Sequence, residues 1–121
     1  MVPQVTNRSL MEGIMITATE LLSKGEYLEE RGDYVRARRM YEKALSIQER
    51  MLDSDSLELV PYLYNLGLIE CALENRKEAQ LLLNRLHEIL IEEYGEDHED
   101  AVEIYGLLED IRPRRLFDPA V

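Results

Sequence analysis

Apolar residues along this chain recur at steps of three and four rather than two. The first stripe runs Leu10, Ile14, Ala18, Leu21, Gly25 and Leu28, which is the spacing of one helix face. After a break at Gly32-Asp33, a second stripe carries Val35, Ala37, Tyr41, Ala44, Leu45 and Met51. Continued along the chain, the pattern predicts five helices over about residues 9–31, 33–52, 57–73, 75–94 and 98–111. They lie between an N-terminal segment, 1–8, and a basic C-terminal tail, 112–121. Helix starts are expected at Asn7 or at Ser9 with Glu12, at Asp33, at Asp55 with Glu58, at Asn75 with Glu78, and at Asp97. In each case a side-chain oxygen is available to accept an otherwise orphaned amide. Gly95 is expected to stop the fourth helix. Pro61 conflicts with a third helix starting at Asp55, because it would fall beyond the first turn and break a backbone hydrogen bond. That helix is therefore expected to start late, near Leu59.

The pattern also returns on itself. Leu21, Gly25, Ala37, Ile47, Asp55 and Val60 are matched, 42 residues on, by Leu63, Gly67, Ala79, Ile89, Asp97 and Val102. A fixed period of this size in a helical pattern indicates stacked supersecondary units that bury their faces against neighbours. The expected fold class is all-α: antiparallel helix hairpins stacked as a solenoid, with two repeats and a closing helix.

Composition narrows the function classes. A chain of 121 residues with 45% hydrophobic content supports one core and one domain. The formal charge of −11, from 25 acidic and 14 basic side chains, argues against nucleic-acid phosphates and anionic membranes as partners. It favours a protein or peptide partner of basic or amphipathic character, with plain solubility as the alternative use of the charge. The lone Cys71 excludes an internal disulfide, and the longest apolar runs, such as Leu81-Leu82-Leu83, are far too short to span a bilayer. Without a signal-peptide pattern, the expected location is cytoplasmic. No phosphate-binding glycine loop or nucleophile elbow occurs, and no base neighbours Cys71 in sequence. The acidic stretch Glu96-Asp97-His98-Glu99-Asp100 lacks the oxygen spacing of a calcium loop and suits a helix start. No catalytic residue, metal site or cofactor is expected.

The first hairpin, with Leu21, Gly25, Gly32-Asp33-Tyr34, Ala37, Tyr41 and Ala44-Leu45, resembles the tetratricopeptide repeat. The resemblance implies that Gly25, Ala37 and Ala44 are the small residues at the helix crossing, and that Tyr34 and Tyr41 are aromatic knobs. The 42-residue period, the stretch Ala44–Arg50 and the loop Tyr94-Gly95-Glu96-Asp97-His98 are similar to the kinesin-light-chain-type variant. The likeness covers about residues 18–111, the third copy being a first helix only. It departs at Lys24 and Glu70, where the family has large apolar residues, and at Glu74-Asn75-Arg76, which replaces Gly-Asp-Tyr. Leu83 and Leu86 replace Tyr41 and Ala44 in the second copy, which implies a slightly wider second hairpin.

In such repeats the first helix of each pair lines a concave face. Carried over, the lining is Thr19, Leu22, Glu26, Glu29 and Glu30, then Tyr64, Asn65, Leu68, Cys71 and Ala72. One wall is acidic, the other apolar, and a segment with basic residues around a large apolar anchor suits both. A solvated acidic face without a ligand is the alternative. Asn65 matches the asparagine that this variant uses to hold a ligand's backbone. Leu22 and Glu26 stand where relatives that bind acidic chaperone tails carry lysine and asparagine, which implies that such tails are not the ligand. The segment Arg112-Pro113-Arg114-Arg115-Leu116-Phe117 is itself a candidate occupant of the groove. The rival reading is a self-assembling subunit, a homo-oligomer joined through Leu10, Met11, Ile14 and Met15 and an open C-terminal end. Those four residues could instead fold over the end as a cap.

Overall fold

A computed structural model describes residues 7–113, with side chains from residue 17 onward. Its helices are α1 (Asn7–Glu30), α2 (Tyr34–Glu49), α3 (Val60–Ala72), α4 (Arg76–Tyr94) and α5 (Glu99–Ile111), with a short 3-10 helix over Leu57–Leu59. Each α-helix packs on the next in order. One continuous core runs through the stack from Ala18 in α1 to Ile104 in α5, by way of Tyr41, Leu63 and Leu83. The fold is therefore the all-α stack of antiparallel hairpins that the periodicity predicts.

The helix crossings show why the repeat exists. Gly25 of α1 lies against the ring of Tyr41 in α2, and Gly67 of α3 lies against Leu83 in α4. Both members of the second pair stand one period after those of the first. A small residue on one helix accepts a large side chain from its partner, so the helices approach closely. Tyr41, Leu83 and Leu86 are fully buried, so the second copy fills its crossing with leucine instead of an aromatic ring. Tyr34, by contrast, is not a knob. It is 39% exposed, and Val35 beside it is 54% exposed, because the first turn of α2 faces solvent.

The hairpin turns also repeat. Gly32 N donates to Glu29 O and Asp33 N to Leu28 O; Glu74 N donates to Cys71 O and Asn75 N to Glu70 O. This paired pattern closes a helix through a left-handed residue. Gly32 supplies it at φ 78°, whereas the second copy forces Glu74 to φ 62°.

The starts of the helices differ from expectation in detail. Helix α1 already includes Asn7, so Ser9 lies inside it and is not its cap. Asp33 caps α2 as expected, its carboxylate accepting from Arg36 N at 3.3 Å. Ser56, not Asp55, accepts from Glu58 N and opens the 3-10 turn, after which α3 begins at Val60 with Pro61 in its first turn. The late start resolves the proline conflict. Asn75 occupies the cap position of α4 without a capping hydrogen bond. His98, not Asp97, caps α5 through Nδ1, which accepts from Asp100 N at 3.2 Å. Gly95 ends α4 at φ 90°.

At 24 residues against 16, α1 outruns α2 by about 12 Å at the helical rise. The side chains of Leu10, Met11, Ile14 and Met15, and the whole tail from residue 114, lie outside the described residues.

Candidate partner-binding face

The residues expected to line a groove fall on α1 and α3. On α1, Glu26 and Glu30 are exposed while Leu22 and Glu29 are half-buried. Glu29 is engaged by its own hairpin, since the Tyr41 hydroxyl donates to its Oε1 at 3.0 Å. Burial of that phenol, followed by the bond to Glu29 and the charges of Glu29, Glu26 and Glu30, pushes the Tyr41 hydroxyl far above its usual pKa. The three carboxylates thus form one acidic cluster over a neutral donor, and Glu29 is its anchored member.

On α3, Tyr64, Asn65, Leu68 and Cys71 are all half-buried. Asn65 donates from Nδ2 to Pro61 O at 3.0 Å, which fixes its amide against its own helix. Burial, with the adjacent Glu70 charge second, raises the Cys71 thiol, so it stays protonated and presents soft apolar surface. Tyr64 reaches across to α5, where its hydroxyl donates to Glu103 Oε1 at 3.2 Å. Burial and then the Glu103 charge raise its pKa, which keeps it a donor at neutral pH. Beside this pair lies a cleft of about 200 Å³, walled by Val60, Leu90 and Ile104 with Asp100 and Glu103 at its rim.

Glu103 is the residue that sequence reasoning missed. It lies 39 positions beyond Tyr64, three short of the period, so it belongs one helical turn before the position equivalent to Tyr64. Combining the repeat period with the helical turn would have found it. A second omission is Arg38, whose Nε lies 2.6 Å from Oε1 of the buried Glu70. Arg38 also contacts Glu42 at 2.8 Å. The Glu70 contact is close but not aligned as a hydrogen bond, so its attraction is coulombic. This ion pair fills the place where Glu70 departs from the apolar pattern.

Contacts between repeats hold the α1 and α3 faces in register. Gln48 Nε2 donates to the buried Tyr62 hydroxyl at 3.2 Å. Arg85 of α4 donates to Glu49 at 2.7 Å and to the carbonyl of Ser54 in the inter-repeat loop. No described helix is long and apolar enough to cross a membrane.

The tetratricopeptide repeat family profile matches residues 16–92, more than half of the chain. The chain belongs to the tetratricopeptide repeat family. No curated protein is similar enough to count as a relative. Tetratricopeptide repeats generally mediate protein–protein interaction, a non-enzymatic role. In this repeat domain the match begins within α1 and ends within α4, and α5 lies beyond it.

Proposed function

We propose that this tetratricopeptide domain is an adaptor of the kinesin-light-chain-like type that captures a basic, amphipathic protein segment on the face lined by α1, α3 and α5. The 42-residue period and the loop Tyr94–His98 support that variant. One observation carries the ligand chemistry: an apolar cleft beside Tyr64 whose rim is formed by Asp100 and Glu103. A large apolar side chain enters the cleft, and flanking lysines or arginines meet the rim carboxylates and the cluster of Glu26, Glu29 and Glu30. Leu22, Asn65, Leu68 and Cys71 extend the contact along the face. Exposed ion pairs contribute little individually. Affinity therefore rests on the buried anchor, while the carboxylates select the sign of charge.

The test uses a labelled peptide with one tryptophan flanked by lysines, compared with its glutamate-flanked counterpart. Binding of the first only, lost on Tyr64→Ala and on Glu26→Lys with Glu30→Lys at unchanged mass, is the expected result. Equal binding of both peptides, or binding unaffected by these substitutions, overturns the proposal.

A second reading, a self-assembling subunit, draws on the exposure of Val102 and Tyr105 at the C-terminal end, 55% each. It predicts that Met11→Asp with Met15→Asp lowers the solution mass.

A further inference from the structure

The closing helix carries a face that its two predecessors cover. In α1 the residues turned towards the hairpin partner are Ala18, Leu21, Gly25 and Leu28, and one period on, in α3, Val60, Leu63, Gly67 and Glu70. All eight are buried or half-buried. One further period gives Val102, Tyr105, Glu109 and Arg112, and all four are exposed. Glu109 and Arg112 pair with each other at 3.6 Å. Where the first two copies place glycine for a close crossing, this one places Glu109, so the face is not shaped for another tightly packed helix.

What lies there is a groove. Two adjoining clefts of about 290 and 280 Å³ run between α4 and α5 and share His87 and Tyr105 as walls. The rings of these two residues stand 6.0 Å apart, tilted by 43°. Leu108 and Arg112 line one end, Ile91 and Val102 the other.

We propose that this groove is covered by the chain's own segment 114–121, Arg-Arg-Leu-Phe-Asp-Pro-Ala-Val, running back along α5. The end of the helix beside the groove is the first argument. Arg112 has left the helix with an extended ψ of 131° at the rim of the groove, and Pro113 cannot continue a helical hydrogen-bond ladder. Reach is the second. The eight residues 114–121 span up to about 26 Å when extended, whereas the 13 residues of α5 rise about 20 Å. A run back along α5 would bring Phe117 level with Tyr105 and His87. Chemistry is the third. An extended strand needs no glycine at a crossing, and because successive side chains alternate, Phe117 would face the uncovered Val102 and Tyr105 with Arg115 on the same side beside Glu109 and Asp110, on a chain of net charge −11. The segment would close the end of the stack, which repeat arrays otherwise leave apolar.

The chain has no tryptophan, so Phe117→Trp in the full chain is a single reporter. The expected result is blue-shifted emission, several-fold less quenched by acrylamide than in the urea-unfolded chain, and independent of protein concentration. Protection should be lost on Val102→Asp with Tyr105→Asp at unchanged helical circular dichroism. It should also be weakened on Arg115→Glu, which alters no residue of the helical stack and sets like charges beside Glu109 and Asp110. Full quenching at every concentration overturns the proposal. So does protection that persists in these variants, since the segment then sits elsewhere. Protection that grows with concentration alongside a dimer mass also overturns it and assigns the groove to a second copy.

Discussion

Gly25 lies so close beneath the ring of Tyr41 that a methyl group on its Cα would sit 2.6 Å from Tyr41 Cδ1, and nearer still to Cε1. At the equivalent crossing, a methyl on Gly67 would sit 2.7 Å from Leu83 Cδ2. These two contacts look alike in sequence, yet they have different mechanical character. The tyrosine ring is rigid and further held by its hydroxyl's bond to Glu29. Leu83 meets Gly67 with a terminal methyl, its Cγ standing back at 3.1 Å, so a smaller shift of a more flexible side chain relieves the contact.

Gly25→Ala is therefore expected to destabilise the domain by about 1–3 kcal/mol through overpacking. Gly67→Ala should fall near zero, because relief by Leu83 and the helix-propensity gain of about 1 kcal/mol oppose the clash. Urea denaturation of both variants checks this. Equal losses would show that the two crossings are mechanically alike.

Glu74→Gly should stabilise the chain. The residue sits at φ 62°, where its first-copy equivalent, Gly32, sits at 78°. Relieving a side chain from the left-handed region is worth about 1 kcal/mol, and Glu74 is exposed, so little packing is lost. A higher urea midpoint at unchanged slope is the expected outcome. A lower midpoint would mean that the carboxylate has a role the backbone geometry does not reveal.

Glu70 ties stability to pH. Burial raises its pKa above the ordinary 4.5, outweighing the opposing charge of Arg38 and the nearby Asn75 amide. A raised pKa means that the folded state favours the protonated acid. The group thus adds stability below its ordinary range and loses that contribution as pH rises through its raised value. Glu70→Gln should be more stable than the parent at pH 7, by about 1 kcal/mol, with the gap closing as pH falls towards 4.5. Arg38 is not stranded by the change, being 39% exposed and still 2.8 Å from Glu42. A variant less stable at pH 7 would show that the ion pair outweighs its desolvation.

The stack was legible in sequence because its logic is periodic. Gly25 with Tyr41, and Gly67 with Leu83, are each joined within one hairpin, and the same step relates the two hairpins. Helix starts were legible only to within a residue or two. Several polar residues cluster at each start, and spacing alone does not say whether Asp55 or Ser56, or Asp97 or His98, turns its side chain to the free amide. Tyr34 was misplaced because aromatic character does not reveal which side of a first turn faces the core. Of the candidate face, α1 and α3 could be read from the repeat. The bond from Tyr64 to Glu103 joins helices of successive repeats at the period less one helical turn, so it is legible only when the two spacings are combined and from neither alone.

Binding on the α1, α3 and α5 face is tested most directly by nuclear magnetic resonance, titrating the lysine-flanked tryptophan peptide into the labelled full chain. The account predicts shifts concentrated at Leu22, Tyr64, Leu68, Cys71 and Glu103, with the exposed outer residues Val35 and Leu81 unmoved. Shifts confined to Val35 and Leu81 or to the α4–α5 groove, or none at saturating peptide, would contradict it.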